Sequence, residues 1–298
     1  MKMLWKRFRK YRLTYKNYIS VILSLRLRRE FIYVRLKDGY EDLVDRRFAY
    51  ALLIYTEKVG QLSSHQFLDL LKRERISYNG QEVILHGMPG NGDFVGVFIE
   101  EEYRNLNVKD KVVIDIGANN GDSAIYFALN GARRVIALEP YPHAFFLAER
   151  NIMENGLADK IIIVNAGYGK EGEIIVDQNK ITSIASQLVP SASGRKIKIY
   201  SLRNIVDNYH IGSAVLKMDC EGCEYSLIEE DTVLLMFEKI QIEYHYGYEK
   251  LKDKLEKVGF SVSYTEPANG YDPFKEINKH VAFGWLYANR DNNPSNGT

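Results

Sequence analysis

From residue 111 onward, short apolar runs alternate with segments of helical periodicity. The runs are rich in β-branched residues and nearly continuous in apolarity, which is typical of strands buried on both faces of a parallel sheet. They lie at 111–117, 134–140, 160–167, 214–219 and 239–245. Helical patterns occupy 122–130, 143–155, 224–230 and 248–258. This alternation predicts an α/β fold with a doubly wound, mostly parallel sheet.

Two parts of this region depart from the alternation. Residues 171–205 have the pattern of strands and turns, which predicts a β-hairpin insertion between the third and fourth core strands. Apolar runs at 260–266 and 281–289 predict two final strands, which bring the sheet to seven. The polar loop 267–280 between them is placed to overhang a site at the sheet edge, and residues 291–298 are expected to fray.

The first third of the chain has a different pattern. We expect residues 1–106 to form a basic, largely helical N-terminal extension and residues 107–290 to form the α/β domain. Asn79-Gly80 supplies the positive φ values of a type I′ turn. The predicted elements of the extension are a helical stretch at 41–74, a hairpin near 76–87 and a short helix at 98–107.

Charge is distributed unevenly along the chain. The net charge of +1 combines a segment of +10 at residues 1–38, with twelve Lys or Arg against two acids, and a remainder of −9. A basic segment of this size favours an anionic partner, such as a membrane surface, nucleic acid or a charged glycan. A solvated helix that folds back on the acidic remainder explains the same charges, so both interpretations stay open.

Neither the apolar runs nor the cysteines indicate a membrane-spanning or exported protein. No apolar run approaches the roughly 20 residues that span a bilayer, and the basic start has no small-residue cleavage site. Cys220 and Cys223 alone do not form a disulfide framework. We therefore expect a cytoplasmic protein with reduced thiols, with peripheral contact to an anionic membrane through residues 1–38 as a further hypothesis.

A glycine-bearing turn follows the first strand of the α/β region. It contains Asp115, Gly117, Ala118, Asn119 and Gly121. Such a turn lets a ligand lie against bare backbone near a helix N-terminus. Because Asn119 occupies the place of the second glycine in the dinucleotide pattern, the turn disfavours a pyrophosphate and with it NAD-dependent oxidoreduction.

Polar side chains end the next two strands. Glu139 follows Gly117 by 22 residues, where an acid accepts hydrogen bonds from two ribose hydroxyls. A nucleoside without phosphates at this turn indicates S-adenosylmethionine as the cofactor. Asn165 ends the third strand, where an amide is placed to meet the adenine edge. A purely structural turn would explain Asp115 and Gly117 taken alone.

Four ordered motifs resemble the FkbM family of S-adenosylmethionine-dependent methyltransferases. They are VIDIGANNGD, ALEPYP, LKMDCEGCE and IEYH. The resemblance covers roughly residues 95–285 and leaves residues 1–94 outside. It implies a class I, Rossmann-like methyltransferase fold and methyl transfer, usually to an oxygen of a sugar or natural product. It does not fix the acceptor.

The resemblance also assigns positions to the candidate site residues. Asp115, Gly117 and Gly121 fall on the cofactor turn, Glu139 is the ribose acid, Asp219 and Glu221 end the fourth strand, and Glu243 and His245 end the fifth. The carboxyl ends of these strands share the edge at which an open α/β sheet binds ligands.

A hydroxyl acceptor needs a base that takes its proton, which contributes typically ~10²–10⁴-fold to the rate. His245 is the natural candidate because the ordinary pKa of histidine is about 6.5. Asp219 is the alternative base or a partner for the amino group of the cofactor, and Glu243 would orient His245 or the acceptor. The plainer interpretation is a structural histidine at a strand end beside acids that favour helix starts.

The same acids are candidate metal ligands. Asp219, Glu221 and Glu243 would suit Mg²⁺, which prefers oxygen ligands and can organise a sugar diol. Acids at one sheet edge also occur without metal, so our prediction is no metal, with Mg²⁺ as the less favoured alternative. Two cysteines fall short of the four ligands of a structural zinc site, and we expect the carboxylates to carry the chemistry.

The leading functional prediction is O-methylation of a hydroxyl on a sugar, glycan or small molecule. An RNA methyltransferase would use the basic segment as a phosphate-binding arm. Nucleic acid is the less favoured partner, because the chain lacks an N-P-P-Y type block and an aromatic RNA-binding signature. A protein that binds the cofactor without transferring its methyl group is the third possibility.

Overall fold

The computed structural model describes residues 2–55, 63–87, 94–178, 188–270 and 281–290. The chain divides into two compact units, Met1–Glu102 and Tyr103–Thr298. Three sequence expectations fall wholly or largely outside the described residues: the frayed tail at 291–298, the middle of the insertion and most of the loop 267–280.

The N-terminal unit combines four helices with two hairpins among its described residues. The helices are α1 (Lys2–Thr14), α2 (Tyr18–Arg26), α3 (Arg46–Tyr55) and α4 (Ser64–Arg73). The strands are β1 (Phe31–Arg35), β2 (Glu41–Asp45), β3 (Arg75–Tyr78) and β4 (Gln81–Ile84). A π-helical turn at Val95–Ile99 takes part of the place of the short helix expected at 98–107.

One of the two hairpins confirms a sequence prediction, and the other contradicts one. Strands β3 and β4 pair antiparallel, and Asn79 and Gly80 have φ values of +49° and +79°, so the hairpin near 76–87 is confirmed. The helical prediction for 41–74 is wrong at its start, because β2 pairs with β1 there. In β1 buried and exposed positions alternate, with Ile32 and Val34 inward. This is the period of a strand and not of a helix.

The C-terminal unit contains the parallel sheet and its helices. Its strands are β5 (Val112–Ile116), β6 (Arg134–Leu138), β7 (Ile161–Val164), β8 (Ala166–Tyr168), β9 (Gly172–Val176), β10 (Arg195–Tyr200), β11 (Ala214–Met218), β12 (Phe237–Tyr244), β13 (Ser261–Tyr264), β14 (Ala268–Gly270) and β15 (Val281–Asn289). Its helices are α5 (Asp122–Leu129), α6 (Pro142–Glu154), α7 (Leu202–Asn208) and α8 (Glu249–Lys257). Short 3₁₀ helices lie at Arg104–Leu106, Cys223–Glu229 and Thr232–Met236.

The main sheet confirms the predicted fold class. Its seven strands run in the order β13-β15-β12-β11-β5-β6-β7, and the short β14 also pairs with β15. Strands β12, β11, β5, β6 and β7 are parallel, and β15 lies antiparallel between β12 and β13. The chain leaves β5 toward one edge and later continues from β11 toward the other. The gap between the ends of β5 and β11 is therefore the topological switch point, where ligands bind in such sheets.

The insertion forms a small sheet of its own. Strands β9 and β10 pair antiparallel, as the hairpin prediction requires, and β10 also pairs with β8. The predicted insertion ended at residue 205, but α7 begins at Leu202 after a capping box formed by Ser201 and Asn204. The capping side chains satisfy backbone N–H groups at the helix start, so the helix begins here and β10 ends at Tyr200.

The core of the C-terminal unit explains why its strands were predictable. All five residues of β5 and all five of β11 are buried. A strand covered on both faces needs an apolar run with little alternation. Among those ten positions, Asp115 and Lys217 are the polar exceptions, and both belong to the site below.

Candidate active site at the carboxyl edge of the sheet

The turn after β5 depends on glycines for reasons of close packing. Gly117 has a φ of +82°, and a Cβ there would lie 1.8 Å from the carbonyl oxygen of Asp219. Gly121 has a φ of +85°, and a Cβ there would lie 3.2 Å from Ala148 on α6. Asn119 also has a positive φ, of +47°. The glycines thus let the end of β11 and helix α6 approach the turn. This packing requirement exists whether or not a cofactor binds there.

Glu139 ties the ends of β5 and β6 together. Its Oε2 accepts a hydrogen bond from the backbone N–H of Asn119 at 3.0 Å, and its Oε1 accepts one from Tyr141 at 2.8 Å. Burial raises the pKa of Glu139 to about 7, although these hydrogen bonds act to lower it. The predicted ribose acid therefore lies beside the predicted cofactor turn, and each of its oxygens retains a lone pair for another donor.

Asn165 lies next to Glu139, as the strand order requires. Its Nδ2 donates to the carbonyl oxygens of Glu139 and Pro140, both at 3.0 Å. Its Oδ1 is buried and has no hydrogen-bond partner in the described part of the chain. A buried acceptor without a donor is rare in folded proteins.

Lys217 is a site residue that the sequence interpretation left without a role. In the register of the sheet, Lys217 on β11 lies directly opposite Asp115 on β5. Its Nζ is 3.0 Å from Asp115 Oδ1 and donates to the Gly117 carbonyl oxygen at 2.8 Å. Ser123 Oγ donates to the other oxygen of Asp115 at 2.6 Å. Burial acts to lower the pKa of Lys217, but the charges of Asp115 and Asp219 raise it, so the side chain stays cationic.

His245 lies among four carboxylates that belong to the loop and 3₁₀ helix after β11 and to the end of β12. Its Nδ1 is 3.0 Å from Glu224 Oε1, and its Nε2 is 3.4 Å from Glu221 Oε2. The Nε2 is also 4.0 Å from Asp219 Oδ1 and 4.0 Å from Glu243 Oε2. The structure thus brings together the candidate catalytic residues His245, Asp219 and Glu243, although their roles stay a prediction.

These carboxylates determine the protonation state of His245. Burial acts to lower its pKa, but hydrogen bonds to Glu221 and Glu224 and their negative charges outweigh burial and raise the pKa to about 12. The imidazole is consequently protonated at neutral pH in the free protein. A protonated ring cannot take a proton from an acceptor, which weighs against His245 as the base before substrate binds.

Glu224 is the second residue whose role the sequence did not reveal. It is fully buried. One of its oxygens accepts from the backbone N–H of His245 at 3.1 Å and also contacts the ring, while the other accepts from Gly222 N at 2.8 Å. The sequence signal was its place as the last residue of the motif LKMDCEGCE, to which we assigned no functional role.

The expectation of two reduced thiols is wrong. Cys220 and Cys223 are joined by a disulfide in the loop between β11 and the following 3₁₀ helix. The ring encloses Glu221 and Gly222, which both have positive φ, of +59° and +118°. The cysteines therefore constrain the loop that carries the acids.

The prediction of no metal, with Mg²⁺ as the less favoured alternative, remains a prediction. Asp219, Glu243 and His245 each offer one ligand atom, and these atoms lie within 4.8 Å of one another. The two carboxylates of this group, Asp219 and Glu243, offer oxygen ligands of the kind that a hard cation such as Mg²⁺ prefers. Glu221, the third predicted ligand, contacts His245 at 3.4 Å.

A comparison with protein-family models identifies the domain that carries this site. Residues 115–262 match the model described as the methyltransferase FkbM domain. The chain carries an FkbM methyltransferase domain. The matched segment begins at Asp115 and includes Glu139, Asp219 and His245.

Two curated proteins resemble parts of the chain. One is the ribosomal protein L11 methyltransferase of Carboxydothermus hydrogenoformans, 35% identical over 86 residues, which are 28% of this chain and 28% of that protein. The other is uncharacterized protein 158B of Sulfolobus islandicus rod-shaped virus 1, 27% identical over 159 residues, 53% of this chain and 76% of that protein. The chain thus spans less than a third of the L11 methyltransferase, and the match does not transfer its substrate.

Solved methyltransferase structures resemble the chain more distantly. M. capricolum TrmK in complex with its cofactor product S-adenosylhomocysteine has 12% identity and a TM-score of 0.41, covering 64% of this chain and 68% of that one. At this level of similarity the fold assignment rests on the strand order of the main sheet in the C-terminal unit, which is that of a class I, Rossmann-like methyltransferase. Among the described residues, no helix is both long and apolar enough to cross a membrane.

Proposed function

We propose that the chain binds S-adenosylmethionine at the turn after β5 and transfers its methyl group to a hydroxyl of a sugar, glycan or other small molecule. The observation that carries the proposal is that the turn after β5 and the carboxylates around His245 lie next to each other at the switch point between β5 and β11. The cofactor turn and the His245 cluster meet where Asp219 O lies against Gly117. A cofactor on the turn and an acceptor on the cluster would then be neighbours.

The residues around the turn fit the nucleoside part of this cofactor. Glu139 retains lone pairs beside its two backbone hydrogen bonds, so it is able to accept from ribose hydroxyls. The unpartnered Oδ1 of Asn165 is an acceptor for the amino group of adenine. A ribose hydroxyl on Glu139 would favour the ionised carboxylate, whose pKa burial raises to about 7 in the free protein.

The acid cluster supplies the acceptor side of the reaction. Asp219 and Glu243 are each 22% exposed, so an acceptor hydroxyl is able to reach them, whereas Glu224 is fully buried. We assign Asp219 as the base and Glu243 as the residue that orients the acceptor. His245 then fixes both carboxylates by its charge. His245 as the base remains the alternative, because a bound acceptor would change its surroundings.

When bound, the cofactor would supply a methyl group on a positively charged sulfur, and this sulfur is the leaving group because it becomes a neutral thioether. The protein therefore has two tasks, which are to hold the acceptor oxygen in line with that methyl group and to accept its proton. Asp219 lies directly after β11, and its backbone N–H donates to the Ile116 carbonyl at 3.0 Å. This hydrogen bond fixes the proposed base relative to the cofactor turn.

The experiment combines binding and turnover in one set of variants. Calorimetry with S-adenosylhomocysteine should detect binding by the intact chain and by Asp219→Asn, and weaker binding by Glu139→Gln. With labelled S-adenosylmethionine and a panel of hydroxylated acceptors, Asp219→Asn should lower turnover by ~10²–10⁴-fold. Absence of binding by the intact chain would overturn the cofactor assignment, and unchanged turnover in Asp219→Asn would overturn the base assignment.

The same experiment distinguishes the alternatives. Binding without turnover on any acceptor would favour a protein that only holds the cofactor. Methylation of an RNA, tested beside the panel, would favour the nucleic-acid alternative. An acidic limb of the pH profile of kcat near or above pH 6, lost in His245→Gln, would favour His245 as the base. A cytoplasmic location remains a prediction.

A further inference from the structure

The N-terminal unit exposes an apolar helix face that its own fold does not cover. Helix α2 is apolar on nearly all sides, and it buries one face through Val21 and Ser24. On the other face Ile19, Leu23 and the following Leu27 are 60%, 53% and 66% exposed. Residues four apart lie on the same side of a helix. A helix that is apolar all round is normally enclosed. We therefore expect the apolar stripe of Ile19, Leu23 and Leu27 to be covered by a partner.

A second exposed apolar group lies on the hairpin beside α2. Phe31 and Tyr33 point outward from β1, and Leu43 lies directly opposite Tyr33 on β2. Asn17, which immediately precedes α2, donates to the Tyr33 carbonyl at 2.9 Å and accepts from Arg35 N at 2.8 Å. These hydrogen bonds hold the start of α2 against β1, so both apolar groups belong to one small framework.

Both cations and acids flank this framework, because residues 16–45 include six Lys or Arg and five Asp or Glu. Residues 1–38 carry twelve Lys or Arg and two acids. Lys16 precedes α2, Arg26 ends it and Arg29 follows it, and all three are exposed. Large apolar side chains next to exposed cations are the signature of a surface that enters the boundary of a bilayer carrying anionic headgroups.

We propose that α2 and the β1–β2 hairpin form a peripheral docking surface for an anionic membrane. The apolar stripe enters the headgroup and acyl boundary while Lys16, Arg26 and Arg29 meet anionic headgroups. A nucleic acid would use the cations but not the aliphatic stripe, because phosphates and bases give Ile and Leu no comparable gain. The surface would bring the methyltransferase domain to acceptors at a membrane, and its existence does not depend on the proposed methyl transfer.

The test is co-sedimentation of the full chain with vesicles. One set of vesicles contains phosphatidylcholine alone, and the other contains phosphatidylcholine with phosphatidylglycerol. We expect binding to the anionic vesicles, weakened roughly fivefold or more by 0.5 M salt because salt screens the headgroup charge. The triple variant Ile19→Ser/Leu23→Ser/Leu27→Ser should lower binding by about tenfold or more, because it removes the apolar contribution.

Two further variants separate the contributions. Lys16→Gln/Arg26→Gln/Arg29→Gln should lower binding to anionic vesicles and remove most of its salt dependence. Met153→Ser/Leu235→Ser removes two exposed apolar side chains, 63% and 44% exposed, from the other unit and should bind as the unmodified chain does. Circular dichroism and the thermal midpoint show that each variant is folded.

Three results would overturn the proposal. The first is no binding of the full chain to anionic vesicles, and the second is equal binding by the folded Ile19/Leu23/Leu27 variant. The third is salt-sensitive binding to RNA, without vesicle binding, that is lost only in the charge variant. That third result would make residues 1–38 a nucleic-acid arm.

Discussion

The two halves of the candidate active site each contain a buried cation, but they hold it differently. On the cofactor side, Lys217 pairs with a single carboxylate, Asp115, and with the Gly117 carbonyl. On the proposed acceptor side, His245 faces four carboxylates, which are Asp219, Glu221, Glu224 and Glu243. Lysine stays protonated over the working range of pH, whereas histidine is able to release its proton when its surroundings change.

The difference separates a fixed part of the site from an adjustable part. Lys217, Asp115 and Ser123 lock the ends of β5 and β11 through contacts that need no ligand. The carboxylates around His245 are partly exposed at Asp219, Glu221 and Glu243, so an acceptor is able to replace some of its contacts. We infer that the cofactor half is preorganised and that the acceptor half responds to its substrate.

The largest effect should come from removing the histidine. His245→Gln leaves the fully buried Glu224 without its cation, and breaking a buried ion pair on one side costs about 3–5 kcal/mol of the free energy of unfolding. Glu243→Gln, which removes a partly exposed partner 4.0 Å away, should cost less than about 1 kcal/mol. Urea denaturation measures the free energy of unfolding of both variants. Equal losses would show that removing His245 destabilises the fold no more than removing one of the carboxylates that face it.

The pH dependence of that loss sharpens the comparison. The pKa of His245 is raised from 6.5 to about 12 on folding, so its stabilisation is complete below pH 6.5 and declines as the pH rises toward 12. The penalty of His245→Gln should therefore shrink between pH 7.5 and 9.5. A penalty that stays constant over this range would contradict the raised pKa.

Lys217→Met should have the next largest effect, a loss of about 3 kcal/mol, because Asp115 is left buried without a cation. The pKa of Lys217 is raised from an already high 10.5, so this penalty should be unchanged between pH 7.5 and 9.5. The double variant Lys217→Met/Asp115→Asn removes both charges and should recover part of the loss. No recovery would mean that packing, and not charge, explains the effect.

Gly117→Ala tests the contact between the two halves. A Cβ at this residue would lie 1.8 Å from the Asp219 carbonyl, and a positive φ strains any residue with a side chain. We expect a loss of about 2–3 kcal/mol in stability, together with weaker S-adenosylhomocysteine binding and lower turnover. Gly156→Ala, also at positive φ but with open space around it, is the matched control. Similar losses in the two variants would reduce the effect to backbone strain.

The last prediction concerns Glu139, the buried acid beside the predicted cofactor turn. The pKa of Glu139 is raised from 4.5 to about 7 on folding, so the folded state retains a proton that the unfolded state loses. Stability should therefore fall as the pH rises from 4.5 to 7, by about 2–3 kcal/mol at most. Glu139→Gln should lack this decline, whereas Glu154→Gln on α6 should keep it. Thermal unfolding across this range checks the prediction, and parallel curves for all three proteins would contradict it.

Much of the C-terminal unit could be predicted because its signals are local. Five apolar runs specified five parallel strands, and the order of the chain placed Glu139 and Asn165 at neighbouring strand ends. The convergence of Asp219, Glu243 and His245 followed from the same rule, since the carboxyl ends of parallel strands meet at one edge. Their chemical roles did not follow, because a role depends on distance, burial and charge.

The parts that were missed depend on contacts between distant residues. Lys217 and Asp115 are paired by the register of β11 against β5, which no local pattern reveals. Strand β2 was interpreted as helix because its few apolar residues carry a weak period, and pairing with β1 overrode it.

By itself, the sequence determined the class of the fold, the edge that carries the site and the set of polar residues at that edge, because periodicity and strand order are encoded along the chain. Only the tertiary structure decided that His245 is a buried cation, that Glu224 anchors it and that Gly117 admits the end of β11. Each of these depends on how closely strands from separate parts of the chain approach one another. Charge states and backbone contacts arise from that proximity and cannot be read from neighbours in sequence.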